Sequence, residues 1–196
     1  YGFVIAADEC YSEIYFDEAI KPLGALEAAQ KLERDYSRLV VFSSLSKRSN
    51  VPGMRSGFVA GDANILEQFL LYRTYHGCAM SPSVQAASIA AWNDEKHVIE
   101  NRRLYAEKFK SVTPMLENTL GVEMPDAAFY LWAKTELPDT EAAIRLYRDF
   151  NVTVLPGSFL AREAHGINPG KHFIRLALVA SLEECTEAAN RIKNLM

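Results

Sequence analysis

Two short apolar runs limit what this chain can fold into. Phe3-Val4-Ile5-Ala6-Ala7 and Leu39-Val40-Val41-Phe42 are continuous, rich in β-branched residues and too short for helices. Such runs suit strands covered on both faces, as in a parallel α/β sheet. Asp8 closes the first, with Tyr11 three residues beyond it, and the second gives way to Ser44-Leu45-Ser46-Lys47. Open α/β sheets bind ligands at the carboxyl ends of their strands, where Lys47 would sit.

The pattern between and after these runs is that of alternating elements. Leu23 to Leu32 has the spacing of a crossover helix, and Gly57-Phe58-Val59-Ala60-Gly61 reads as a third short strand. Asp62 can cap a following helix with Ile65, Leu66, Phe69 and Leu70 on one stripe. Ser81-Pro82 reads as an N-cap with proline at the first helical position. Helical pattern then runs, with one interruption near Asn93-Asp94, to about Leu116, placing Val98, Tyr105, Phe109, Val112 and Leu116 on one face. A helix of that length can bridge two domains, so the expected boundary lies within it, dividing residues 1–100 from 101–196. Beyond it, 129–133, 152–155 and 173–178 read as strands and 140–150 as a helix. Ser181-Leu182-Glu183-Glu184 is a capping box opening a last helix. The second part is thus expected to be a small α+β domain.

Composition excludes more than it identifies. With 49% hydrophobic and 23% charged residues and a formal charge of −4, the chain has no general pull toward nucleic acid or anionic membranes. Arg34, Arg38, Arg102 and Arg103 stand among acids and read as solvated surface. Cys10, Cys78 and Cys185 are widely spaced and lack a metal-ligand pattern, so they read as reduced, buried thiols in a cytosolic protein and no metal is expected. No apolar run approaches the roughly 20 residues of a membrane span. Tyr1-Gly2-Phe3-Val4-Ile5 has no charged leader and no initiator methionine, and opens abruptly at a strand, as the middle of a longer protein would.

The chemistry concentrates between Ser44 and Arg55. A lysine amine beside small polar residues can form a Schiff base, while Ser44, Ser46 and Arg55 can hold a phosphate monoester. Asp8 reads alone as a turn residue or helix cap. Its functional reading is a carboxylate that keeps a pyridine nitrogen protonated. Tyr11 is ordinary packing on its own, or a donor to a phenolic oxygen. Arg175 lies inside the apolar strand Phe173-Ile174-Arg175-Leu176-Ala177, where a buried guanidinium needs an anion. That anion is either an acid of this chain or the carboxylate of a substrate, clamped in bidentate fashion.

Asp-x-x-Tyr, then Ser-x-Ser-Lys, then Arg resembles the site of the class I/II, or fold type I, aminotransferases, which use pyridoxal 5′-phosphate. The resemblance covers essentially the whole chain. It implies Lys47 as the lysine bonded to the cofactor, Asp8 opposite the pyridine nitrogen, Tyr11 near the phenolic oxygen, Ser44, Ser46 and Arg55 at the phosphate, and Arg175 at the substrate carboxylate. Ala128-Phe129-Tyr130 is similar to the family's Gly-Ala-Phe-Tyr turn, with Ala127 in place of the glycine. Within the family, Ser46-Lys47-Arg48-Ser49-Asn50-Val51-Pro52-Gly53-Met54-Arg55-Ser56-Gly57, together with Asp8-Glu9-Cys10-Tyr11-Ser12-Glu13, most resembles the bacterial N-succinyldiaminopimelate aminotransferases. What this implies is a cytoplasmic homodimer acting on amino and keto acids, with glutamate and 2-oxoglutarate as one pair.

The same resemblance implies the C-terminal part of the large-domain sheet followed by the small domain. Several of the family's site segments have no counterpart here: the Asn-Pro-x-Gly segment, a glycine-rich loop for the phosphate, and an aromatic residue to stack on the ring. The expectation is the C-terminal half of such an enzyme, inactive as an isolated polypeptide and prone to associate through a bare sheet edge. Two other readings share the scaffold: a C–S lyase or decarboxylase using the same cofactor, and the effector-sensing domain of a transcription regulator. Arg48, Arg162, His165 and Lys171 are further cations that a doubly acidic substrate could meet, although solvated surface is the plainer role for each.

Overall fold

The computed structural model describes residues 1–77 and 79–193, so Cys78 lies outside the described residues. The chain forms two compact units, Tyr1–Arg102 and Arg103–Met196.

The first unit is built on a three-stranded sheet in the order β1 (Ile5–Asp8), β2 (Leu39–Ser44), β3 (Gly57–Gly61). Strand β1 runs parallel to β2, with α1 (Ala25–Lys31) between them in the chain. Strand β3 pairs with β2 antiparallel, so the sheet is mixed rather than parallel. The return from Ser44 to Gly57 is at the lower limit of the crossover length that a parallel pairing requires, and the chain turns back antiparallel instead. Helix α2 (Leu45–Arg48) and a 3₁₀ turn (Pro52–Met54) fill that return. Helices α3 (Ala63–His76) and α4 (Pro82–Trp92) follow, and α5 (Lys96–Leu120) begins in this unit.

Burial in this sheet is uneven. Leu39, Val40 and Val41 are buried, as a central strand's residues should be, together with Ile14, Tyr15, Leu45 and Val98. The run that leads into and opens β1 departs from the expected two-sided cover: Phe3, Val4 and Ile5 are 65%, 52% and 51% exposed. Among the described residues nothing pairs beyond β1, and its outer edge stands open. Nor does α3 bury its stripe, for Ile65, Leu66 and Phe69 are half-buried and Leu70 is exposed. The caps hold. The Asp62 carboxylate accepts from the amides of Asn64 and Ile65, and the Ser81 hydroxyl accepts from Val84.

Two arginines are not the solvated groups that local spacing suggested. Arg102 is 6% exposed and bonds Glu18 at 2.6 Å and Glu13 at 3.1 Å, with its guanidinium 4.4 Å from the centre of the Tyr15 ring. Arg48, at 4% exposure, bonds the Ala91 carbonyl at 2.9 Å, pairs with Glu95 and lies over Trp92. A guanidinium leaves water only against anions and carbonyls, and the partners here are distant in sequence.

The second unit contains the rest of α5, β4 (Tyr130–Lys134), α6 (Asp139–Phe150), β5 (Leu155–Pro156), β6 (Phe173–Ala177) and α7 (Leu182–Ile192). Its sheet has the order β4-β6-β5 with both pairings antiparallel. Strand β5 is two residues long, so most of the run 152–155 is irregular. Period-two alternation sets the faces: Leu131, Ala133, Ile174 and Leu176 are buried, while Trp132 and Lys134 turn outward. The apolar face of α5, with Phe109, Val112 and Leu116, is buried, as are Leu146 of α6 and Ala189 and Ile192 of α7. The capping box at Ser181 and Glu184 is formed on both sides. Among the described residues no helix is long and apolar enough to cross a membrane.

Candidate active site

The carboxyl ends of β1 and β2 open onto a cavity of about 500 Å³ lined by Asp8, Cys10, Tyr11, Ser44, Ser46, Lys47, Pro52, Arg55, Ser56 and Gly57. That volume suits a small organic ligand, since such sites run from about 300 to 1,000 Å³. Every residue of the first unit singled out for the cofactor in the sequence is on its wall.

Each is there for a local reason. Asp8 ends β1, and its Oδ1 accepts from the Cys10 amide at 3.1 Å, which turns the chain and brings Tyr11 round. The thiol and the amide of Cys10 hold the Asp8 carboxyl below the usual carboxylate range, so it stays ionised at neutral pH. Burial, followed by the hydrogen bond to Asp8, pushes the Cys10 thiol up. Cys10 is half-buried on the cavity wall rather than a core thiol, whereas Cys185 is buried. Glu9 points away from the cavity's chemistry and accepts from the Ala25 amide at 2.6 Å at the start of α1.

Ser44 is both the last residue of β2 and the N-cap of α2, its hydroxyl accepting from the Ser46 amide at 3.3 Å. The Leu45 side chain is fully buried and anchors the turn. Lys47 therefore projects from a helical turn that follows the strand directly. Arg55 follows the 3₁₀ turn with φ 54°, in the left-handed region, and its Nη1 donates to the Pro52 carbonyl at 2.7 Å. That backbone conformation costs a non-glycine residue roughly 1–2 kcal/mol. Ser56 fixes the far side: its carbonyl accepts from Leu45, and its hydroxyl lies 2.7 Å from that of Ser88.

Cys10, Pro52, Ser56 and Gly57 are wall residues to which the sequence pattern gave no role. The signal for Gly57 was present in the strand pairing, because it must lie against Ser44. For Cys10 the signal was only its place between Asp8 and Tyr11.

Arg175 belongs to the second unit. It is half-buried, and its face of β6 also carries Phe173 and Ala177. Trp132 is its partner across the ladder, and its guanidinium lies 5.4 Å from the centre of the Tyr130 ring. Among the described residues no acid pairs with it, so the structural ion pair considered for it is not formed. The second unit also has a cavity of about 550 Å³ walled by Leu120, Lys134, Thr135, Leu137 and Arg145. It holds none of the residues singled out, so cavity size alone does not mark the chemistry.

The Lys47 cavity thus offers an amine, a guanidinium with hydroxyls, and an ionised carboxylate, a set suited to a small phosphorylated ring with an electrophilic carbon. The family model for aminotransferase class I and II matches residues 1–192. An aminotransferase from Neisseria meningitidis Z2491 is 58% identical with a TM-score of 0.92, all of this chain matching 50% of that one. A protein described as a "probable N-succinyldiaminopimelate aminotransferase", from Thermus thermophilus, is 27% identical with a TM-score of 0.83, over 100% of this chain and 50% of that one. The LL-diaminopimelate aminotransferase of Maridesulfovibrio salexigens is 30% identical over 100% of this chain and 49% of the relative. The chain spans about half the length of these relatives. Members of the family use pyridoxal 5′-phosphate, whose phosphate, ring nitrogen and aldehyde correspond in kind to the groups on the cavity wall. On its sequence model and its relatives alike, this chain belongs to the class I and II aminotransferases.

Proposed function

We propose that the intact protein is a pyridoxal-phosphate-dependent transaminase and that the Lys47 cavity is its cofactor site. One observation carries the reading: Asp8, Tyr11, Ser44, Ser46, Lys47 and Arg55, from separate elements, line a single cavity. When bound, the cofactor supplies an electron sink that stabilises negative charge at a substrate Cα. Lys47 would hold it through its amine and, with that amine free, would move a proton at the substrate Cα. Asp8, kept ionised by Cys10, holds the proton on the ring nitrogen. The Tyr11 hydroxyl donates to the phenolic oxygen. Arg55 and Ser44, with Ser46 beside them, take the phosphate charge. Arg175 clamps the substrate α-carboxylate, a role supported by its lack of an acid partner among the described residues.

In this reading residues 1–100 are the C-terminal part of the large cofactor-binding domain and 101–196 the small domain, in a cytoplasmic homodimer. The substrate we infer is N-succinyl-2-amino-6-oxopimelate, with glutamate as amino donor, on the route to diaminopimelate and lysine. The likeness of the Ser46–Gly57 segment and the names of the Thermus and Maridesulfovibrio relatives support it. Lys47→Ala in the intact protein should abolish both the absorbance of the covalently held cofactor and turnover with glutamate, and normal turnover would end the reading. For the substrate, the succinylated keto acid should outcompete its unsuccinylated counterpart as acceptor.

A further inference from the structure

The helical turn that carries Lys47 is too short to hold itself. Helix α2 has four residues, and the cost of nucleation makes an isolated helix of that length unstable. Its last carbonyls have no partner inside the helix. The start of α5 supplies one. Asn101 donates its side-chain nitrogen to the Lys47 carbonyl at 2.9 Å and to the Arg48 carbonyl at 3.4 Å.

His97, one turn earlier on α5, secures the next residue. Its Nε2 lies 2.8 Å from the Ser49 hydroxyl and its Nδ1 lies 2.8 Å from Asp94. The His97 hydrogen bond holds the Asp94 carboxyl below its usual range, and an ionised carboxylate only accepts. Nδ1 therefore carries a proton toward Asp94, and in the neutral ring Nε2 accepts from the Ser49 hydroxyl. The buried Arg48, held by Ala91, Glu95 and Trp92, closes the same clamp from the α4 side. These contacts reach the main chain of Lys47 and the residues beside it. Arg48, Asp94, His97 and Asn101 are not on the cavity wall.

We propose that Asn101 and His97 are positioning residues for Lys47, Asn101 holding the Lys47 and Arg48 carbonyls and His97 the Ser49 side chain just beyond them, so that the amine meets an electrophilic carbon from one direction. The inference rests on the reading of Lys47 as the cofactor lysine. Its physical content is that fixing the Cα confines the amine's freedom to the side-chain torsions, and a displacement of about 1 Å at a reacting atom can cost about 100-fold in rate.

Two probes separate this role from general stability. Pyridoxal 5′-phosphate, fixed by borohydride and mapped to its peptide, reports how fast the Lys47 amine bonds. Pyridoxine 5′-phosphate has no aldehyde and reports only the non-covalent part of the site. In Asn101→Ala, attachment at Lys47 should slow about tenfold or more, while pyridoxine 5′-phosphate affinity stays within about twofold. His97→Ala should slow attachment in the same way, and His97→Gln, whose side-chain amide can still hydrogen-bond the Ser49 hydroxyl, should restore part of the rate. If Asn101→Ala does not fold, the His97 pair carries the test. Unchanged attachment in these variants, or a proportional loss of both probes, would overturn the proposal. Labelling of Ser49 by a fluorophosphonate would also overturn it, by making Ser49, His97 and Asp94 a nucleophile site. A wild-type protein that binds pyridoxine 5′-phosphate yet shows no adduct at Lys47 would remove the reading of Lys47, and this inference with it.

Discussion

Ser44 and Gly57 face each other where the β2–β3 ladder ends, at the rim of the Lys47 cavity. A Cβ at Gly57 would stand 2.6 Å from the Ser43 carbonyl oxygen and 3.1 Å from the Ser44 Cβ. The nearer of these is backbone and cannot swing aside. Gly57→Ala should therefore push Ser43 and Ser44 outward at the start of α2. Overpacking of this kind costs about 1–3 kcal/mol. The expected result is a lower thermal midpoint together with weaker binding of pyridoxine 5′-phosphate. An alanine variant that matched the wild type in both would show that the strands part without disturbing Ser44.

Arg175 should answer to substrate and not to stability. With no acid partner among the described residues, its replacement by lysine breaks no ion pair of the fold. What lysine lacks is the planar fork that takes a carboxylate with two parallel bonds. Losing one charge-assisted hydrogen bond, at about 1.5–3 kcal/mol, corresponds to a KM for 2-oxoglutarate raised by roughly 10- to 100-fold. Steady-state kinetics of Arg175→Lys, run beside thermal denaturation, checks both halves. A fall in the thermal midpoint with unchanged KM would make Arg175 a structural residue.

Thr113, on α5 within the second unit, buries its hydroxyl with no hydrogen-bond partner among the described residues. Leaving such a group dry costs about 1–3 kcal/mol, and valine has nearly the same shape without the oxygen. Thr113→Val should therefore raise the urea midpoint, with a gain on the order of 1 kcal/mol. If valine destabilises instead, the hydroxyl has a partner in solution.

Local chemistry was the easiest part of this chain to read. The caps at Asp62, Ser81 and Ser181 form, because a cap depends only on a side chain and the amides two or three residues on. The apolar face of α5 is buried for the same local reason, a 3.6-residue period. Asp8, Ser44, Lys47 and Arg55 meet at one cavity because strand ends and short turns set their positions. Groups whose environment comes from distant residues were not readable. Arg102 looked solvated beside Arg103, yet its anions are Glu13 and Glu18 in the first turns of the chain. Arg48 looked like a neighbour of the site, and its partners lie at the α4–α5 corner. Strand β1 has the composition of a buried strand and stands exposed, since composition does not say what lies beyond an edge. Asn101 carries no motif, and only its approach to the Lys47 carbonyl marks it.

The Arg102 cluster gives the chain a specific response to acid. Glu18 has its carboxyl held below the usual glutamate range, chiefly by the hydrogen bond from Arg102. A carboxylate with a depressed pKa in the folded state stabilises the fold above its unfolded pKa, and that contribution is lost as pH falls through the folded value. Glu18 is itself 55% exposed, so salt screens part of the effect. Glu18→Gln should be less stable than the wild type at about pH 7, with the gap narrowing as pH falls through and below the ordinary glutamate range. Urea denaturation of both proteins across that range, at low and at moderate salt, measures the gap directly. A difference that stays constant down to the acid end would mean that the glutamine variant fails through packing against Tyr15, and that the Arg102–Glu18 charge pair is not what the fold loses in acid.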